Sequence, residues 1–253
     1  MRSLVRAAAA VADSASAGPR SAPARGLVAL LLATGACTSA SSDGPTDLSP
    51  RGGAASRPAS RPSAAPEGTV EAPAPEPGLE VATFAGGCFW CMEPPFEAMS
   101  GVKAVLSGYT GGEEPSPAYR QVASGRTGHA EAVRVYFDPD FVTYNELLDV
   151  FWRNIDPTDA GGQFVDRGRQ YRTGIFVHDE AQRAAAEASK AALAESGRFD
   201  APLVTPIEDA GRFWVAEEYH QDFYQKKPSH YRRYKRGSGR VRFIEEHWGS
   251  SEP

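Results

Sequence analysis

From Leu79 onward the chain orders its apolar and polar residues in regular periods, and the sequence before it does not. LEVATFA alternates apolar and polar positions and runs into Gly86-Gly87, which predicts a strand ending in a turn. Short apolar or alternating runs predict further strands at VKAVLSGY, EAVRVYF, RTGIFVH and LVTPIED. TYNELLDVFWRN, DEAQRAAAEASKAALAES and VAEEYHQDFYQK repeat apolar residues every three or four positions and predict helices. Another helix is expected from about Phe89 to Met99, with Pro94 and Pro95 near its first turn, where missing N–H groups cost least. DPTDAGGQFVDRGRQY, residues 156–171, has no apolar period and predicts a long loop of the kind that carries function. The order strand, helix, strand, strand, helix, strand predicts an α+β fold: a ferredoxin-like split β-α-β core with a mixed sheet, extra helices and long functional loops.

Ahead of this pattern lie two segments without it. In residues 1–37, Arg20 and Arg25 precede the apolar run GLVALLLATGAC, which is shorter than the ~20 residues a membrane span needs. We expect an export signal here. Its end, Thr34-Gly35-Ala36-Cys37, resembles a bacterial lipobox, with Thr34 standing where an aliphatic residue is usual, and Cys37 is the expected lipidation site. Residues 38–77 are dominated by Ser, Pro, Ala and Gly and hold too few large apolar residues to offset the entropy of ordering. They are expected to form a disordered tether, with a catalytic domain over 78–253. The expected location is therefore outside the cytoplasm, in the cell envelope or periplasm, with the membrane reached only through the N-terminal lipid.

A net charge of -5 and a pI near 5.6 provide no basic field for nucleic acid, so function must rest on local sites. The folded part holds two cysteines, Cys88 and Cys91, separated by Phe89 and Trp90. A cysteine at a strand-to-helix turn has unpaired backbone N–H groups beside it, which favour thiolate. Cys91 lies one helical turn on, where a disulfide with Cys88 can close. The spacing supports reversible dithiol chemistry, against three other readings. A structural disulfide across so small a loop would stabilise little. Zinc would need more ligands, and none of the five histidines is spaced to supply them. Thioredoxin-like chemistry normally places the tryptophan before the first cysteine.

Gly87-Cys88-Phe89-Trp90 resembles the signature turn of the A-type peptide methionine sulfoxide reductases, and the resemblance continues through GYTGG, AYRQVASGRTGHAEAVRVYFDP, ELLDVFWRNIDPT, DRGRQYRTGIF and AEEYHQDFYQKKPSHY. It implies reduction of the S epimer of methionine sulfoxide, protein-bound and free, without metal or organic cofactor. It implies Cys88 as nucleophile, Glu131 as the acid, Tyr119 and Tyr171 as donors to the sulfoxide oxygen, and Asp166 as a positioning carboxylate. A carboxyl kept neutral by burial and two phenols suit those roles. Phe89 and Trp90 are expected to line a pocket for the methyl group, since aromatic faces favour methyl-sulfur groups. Many relatives carry a resolving cysteine near the C-terminus, and this chain has none there. A branch of the family has Gly-Cys-Phe-Trp-Cys, which leaves Cys91 as the resolving thiol, with a thioredoxin-like dithiol closing the cycle. The enzyme is expected to act as a monomer on oxidised proteins. Ala123 and Ile155 depart from residues common in the family, at positions without a chemical role. The basic run HYRRYKRGSGRVRF reads as a solvated face. A general dithiol-disulfide oxidoreductase and a non-catalytic binding module are the competing classes, and the intact set Cys88, Glu131, Tyr119 and Tyr171 argues against both.

Overall fold

The computed structural model describes residues 69–249; the expected signal segment, Cys37 and the tether up to residue 68 lie outside them. In chain order the elements are β1 (Val70–Glu71), β2 (Glu80–Gly86), α1 (Phe89–Glu97), β3 (Val102–Thr110), α2 (Tyr119–Ala123), β4 (Ala130–Phe137) and α3 (Tyr144–Arg153). Then follow β5 (Gly162–Gln163), β6 (Asp166–Arg167), β7 (Thr173–Val177), α4 (Glu180–Glu195), β8 (Ile207–Asp209), β9 (Trp214–Val215), α5 (Phe223–Lys226), α6 (Pro228–Gly237) and α7 (Arg240–Trp248).

The main sheet runs β1-β9-β3-β4-β2-β7-β8. β2 is antiparallel to both β4 and β7, and β3 is antiparallel to β4. So β2 and β3, joined through α1, are parallel and separated by β4, while β4 and β7 are parallel and separated by β2. These are two interleaved split β-α-β units, the predicted topology. β8 adds parallel to β7 and makes the sheet mixed.

The core forms where the apolar face of this sheet meets α1, α3 and α4. Phe84 of β2 stacks on Phe96 at 5.2 Å and on Phe151 at 5.0 Å, tying α1 and α3 to the central strand. Each such buried phenylalanine contributes about 1.5–3 kcal/mol of burial free energy. α3 begins with a capping box: Glu146 N donates to Thr143 Oγ1, and Thr143 N donates to the Glu146 carboxylate at 2.7 Å. Its inward face carries Leu147, Leu148, Phe151 and Trp152, and Trp152 Nε1 donates to Ser189 Oγ of α4 at 2.8 Å.

Four expectations are corrected. Residues 69–77, expected within the tether, are held against the sheet, because β1 pairs with β9 and the Tyr136 hydroxyl donates to Pro73 O at 2.6 Å. Pro94 and Pro95 sit past the first turn of α1, where they remove the N–H groups that would reach the carbonyls of Trp90 and Cys91. VAEEYHQDFYQK is helical only at Phe223–Lys226, since Val215 lies in β9. There the side chain of Gln221 acts as a strand partner: Ser107 N donates to its Oε1 at 2.9 Å, and its Nε2 donates to Ser107 O and Ala216 O. The basic C-terminal run forms α6 and α7, and its Tyr231 and Arg240 are buried.

Candidate active site

β2 delivers the chain to α1 through Gly86-Gly87. Gly87 has φ +81°, and a Cβ there would stand 2.6 Å from Gln163 Cβ, so only glycine fits the turn. Gln163 anchors the 156–171 loop against this turn: its Oε1 accepts from Asp156 N and its Nε2 donates to Asp156 O, each at 2.8 Å. Cys88 is the N-cap of α1, with no capping bond from its own side chain. The expectation of a depressed thiol is overturned. Burial to 7% exposure pushes Cys88 well up, and the negative charges of Glu131 and Cys91 push the same way. A hydrogen bond with Tyr234 opposes them. Desolvation thus outweighs the pull of the helix start, and the resting group is a neutral thiol.

Glu131 enters the site from the start of β4. Glu114 shapes that start, accepting Gly128 N at 3.0 Å through its carboxylate and pairing with His129 Nε2 through its carbonyl at 2.8 Å. The Glu131 carboxyl is 2% exposed and accepts the N–H of Phe89, the first helical residue of α1, at 3.2 Å. Burial raises it to about 8; the Phe89 bond pulls it down, and Asp166 and Glu217 push it up. A carboxylic acid, protonated at pH 7, therefore stands beside the thiol.

Two phenols join them. Tyr119 opens α2, and its N–H donates to Glu217 Oε1 at 2.9 Å. Tyr171 closes a 3-10 turn at Arg169–Tyr171, which Gln170 Nε2 ties to Ala123 O of α2 at 3.0 Å. Burial, Glu131 and Cys88 push Tyr119 up to about 12, and burial, Glu131 and Tyr119 raise Tyr171 further. Both hydroxyls stay protonated and able to donate. Asp166, on β6, accepts the hydroxyl of Tyr234 from α6, and burial raises its carboxyl. The structure thus brings together Cys88, Glu131, Tyr119, Tyr171 and Asp166 from five separate stretches of chain.

Phe89 and Trp90 separate in role by exposure. Phe89 is 1% exposed, packed between Tyr109 at 5.9 Å and His220 at 5.0 Å. Trp90 is half-buried, stacked face to face on Phe223 at 3.7 Å with Tyr234 edge-on at 5.9 Å, and its Nε1 donates to His220 Nδ1 at 3.1 Å. Accepting that bond leaves His220 neutral, and burial holds it down at about 4. Cys91 is buried, and its N–H donates to Cys88 O at 3.0 Å. Burial raises its thiol, while the nearby Arg240 guanidinium opposes that shift most strongly. Arg240 reaches Cys91 from α7, donating to Gly86 O at 2.9 Å and to Asn154 O. Both cysteines are free thiols. Among the described residues, neither belongs to a group of three or more potential metal ligands.

Sequence reasoning missed Glu217, His220, Tyr234 and Arg240. The first two lie in a stretch whose helical period hid its irregular backbone, and the others in a run whose charge read as a solvated face.

The family model described as peptide methionine sulfoxide reductase matches residues 80–252. The peptide methionine sulfoxide reductase MsrA of Bacillus subtilis (strain 168) is 58% identical over 171 residues, covering 68% of this chain and 97% of that protein. The MsrA of Ligilactobacillus salivarius is 59% identical over 169 residues, covering 67% and 98%. Among solved structures, reduced Mxr1 from Saccharomyces cerevisiae is similar at 33% identity and a TM-score of 0.57, covering 61% of this chain and 90% of that one. Methionine sulfoxide reductase A of Corynebacterium diphtheriae is similar at 33% identity and a TM-score of 0.54, covering 60% and 77%. With its thiol, buried acid and paired phenols at one turn, and with near-complete coverage of these relatives, the chain belongs to the A-type peptide methionine sulfoxide reductases and is an enzyme of that family.

Proposed function

We propose that this enzyme reduces the S epimer of methionine sulfoxide, protein-bound and free, through a sulfenic acid on Cys88 that Cys91 resolves. The observation carrying this reading is the buried, protonated Glu131 carboxyl at the helix start that also bears the Cys88 thiol. As the Cys88 sulfur attacks the sulfoxide sulfur, Glu131 places its proton on the oxygen, and the positive charge created there draws off the thiol proton, which returns to Glu131. The hydroxyl passes from substrate sulfur to Cys88, leaving methionine and Cys88 sulfenic acid. Tyr119 and Tyr171 donate to the oxygen as charge develops on it. The partly exposed Trp90 ring, two residues from Cys88, takes the methyl group. Fixing methyl, oxygen and sulfur at once selects one configuration at sulfur.

Cys91 sulfur then attacks Cys88 sulfur, water leaves, and a disulfide forms. Arg240 favours the Cys91 thiolate that this step needs. Two electrons from a thioredoxin-like dithiol reopen the disulfide. The enzyme acts as a monomer, exported and anchored through a lipid on Cys37, and repairs oxidised proteins in the cell envelope. Mass spectrometry of the mature protein tests the anchor: a lipidated N-terminal Cys37 supports it, and retained sequence before Cys37 overturns it.

Single-turnover assays of the reduced protein with separate S and R epimers test the chemistry. Consumption of the S epimer alone, with a Cys88-Cys91 disulfide appearing in step, is expected. If both thiols stay free and neither epimer is consumed, the reading fails.

A further inference from the structure

Beside Trp90 but outside the reaction centre, Glu93, Glu97 and Asp222 bring three carboxylates together. Glu93 and Glu97 are four residues apart on α1 and so share a helix face. Asp222 arrives from the residue that leads into α5. One oxygen of each lies within 4.8 Å of the others. Oxygens surrounding a single Ca²⁺ at its usual bond lengths span up to about 5 Å, so one ion can meet all three.

The second observation lies in Glu93 itself. Its side chain is 1% exposed, and Oε1 accepts the Asp222 N–H at 3.1 Å, whereas Oε2 is buried and has no hydrogen-bond partner. A buried carboxylate oxygen without a partner is costly, and a cation is the partner that a ring of carboxylates can hold. Two lysines near the cluster have their hydrogen bonds or ion pairs elsewhere: Lys226 Nζ bonds Glu218 at 2.7 Å, and Lys103 Nζ, which lines the same depression as Glu97, pairs with Asp138 at 3.5 Å. A surface depression bounded by Glu97, Tyr224 and Gln225 opens onto the cluster, giving a hydrated ion a way in. Tyr224 adds a neutral oxygen at the rim, donating to Glu97 Oε2 at 2.6 Å.

We propose that Glu93, Glu97 and Asp222 form a binding site for a hard divalent cation of the Ca²⁺ type. The ion joins α1 to the start of α5, and so fixes Phe223, the ring stacked on Trp90 at 3.7 Å. The site supplies no group to the sulfoxide chemistry.

Terbium(III) luminescence on the full-length protein is the test, because Tb³⁺ takes Ca²⁺-type oxygen sites and Tyr224 is placed to sensitise it. A saturable signal excited through the aromatic rings and displaced by Ca²⁺ is expected. Glu97→Gln and Asp222→Asn should each raise the apparent dissociation constant at least tenfold, with reductase activity and circular dichroism retained as proof of folding. Glu93→Gln, which preserves shape, should do the same. A non-saturating signal in the wild type overturns the site, as do isotherms that superimpose for wild type and all three variants. Retained S-epimer reduction alongside such a failure would leave the catalytic reading intact.

Discussion

The Cys88 thiol and the Glu131 carboxyl meet at the buried start of α1, and the same desolvation that raises the thiol keeps Glu131 protonated. Glu131→Gln keeps the shape and the neutral charge but cannot give up a proton, so the rate of sulfoxide reduction should fall by about 10²–10⁴. In the wild type the rate should decline as pH rises through about 8, where Glu131 ionises, and the variant's residual rate should lack that limb. Single-turnover rates across pH read both effects, and an unchanged limb in Glu131→Gln would assign it to another group. Cys91→Ser should release one methionine per enzyme and stop with Cys88 as sulfenic acid, detectable by dimedone labelling. Sustained turnover of that variant with thioredoxin would remove Cys91 from the cycle. Cys88 and Cys91 were legible as a pair from spacing alone. The roles proposed for Glu131, Tyr119, Tyr171 and Asp166 came only from resemblance, since nothing local distinguishes such residues from surface ones.

At the scale of elements, the site depends on how α7 and the 156–171 loop clasp the Gly86-Gly87 turn. Arg240 supplies two of those clasps, to Gly86 O and Asn154 O, from a helix more than 150 residues along the chain. Arg240→Met would leave buried carbonyls without donors, at about 1–3 kcal/mol for each such group. Urea unfolding should show a total loss of about 2–6 kcal/mol for the two carbonyls, and disulfide formation after a single turnover should slow because the Cys91 thiolate loses its cation. A variant as stable as the wild type, with unaltered disulfide kinetics, would contradict both roles. Apolar runs and alternation located β2, β3, β4 and β7, and a helical period located α3 and α4, which bury one face against the sheet. The helical period failed at 215–222, where side-chain hydrogen bonds from Gln221 replace a backbone ladder and leave the helical spacing of apolar residues without a helix.

For the whole molecule, buried titratable groups make stability depend on pH in opposed directions. Glu131 titrates at about 8, above its ordinary 4.5, so the native state binds more protons and stability falls as pH rises between those values. His178 and His220 titrate at about 4, below their ordinary 6.5, so stability falls as pH drops through that window. The carboxyl and the histidines oppose each other from about pH 4.5 to 6.5, and the carboxyl acts alone from 6.5 to 8. Thermal melts should therefore be highest near pH 6.5 and decline toward 8, at up to about 1.4 kcal/mol per pH unit. Glu131→Gln should remove that decline, and a melting temperature constant from 6.5 to 8 would contradict the buried-acid reading.

The order and period of its apolar residues were enough to determine the α+β class, the split β-α-β topology and the turn that presents Cys88, because apolar runs and helical periods bounded by turn residues mark which stretches are buried and where the chain reverses. Cysteine spacing placed Cys88 and Cys91 one helical turn apart, within reach of a disulfide. The protonation of the site was left to the tertiary structure: only the packing of α1 over β4 removes water from Cys88 and Glu131 together, and desolvation then overrides the helix start that local sequence emphasises. The contributions of Tyr234, His220 and Arg240 were likewise decided there, because a residue's partner depends on which distant backbone and rings the fold sets against it.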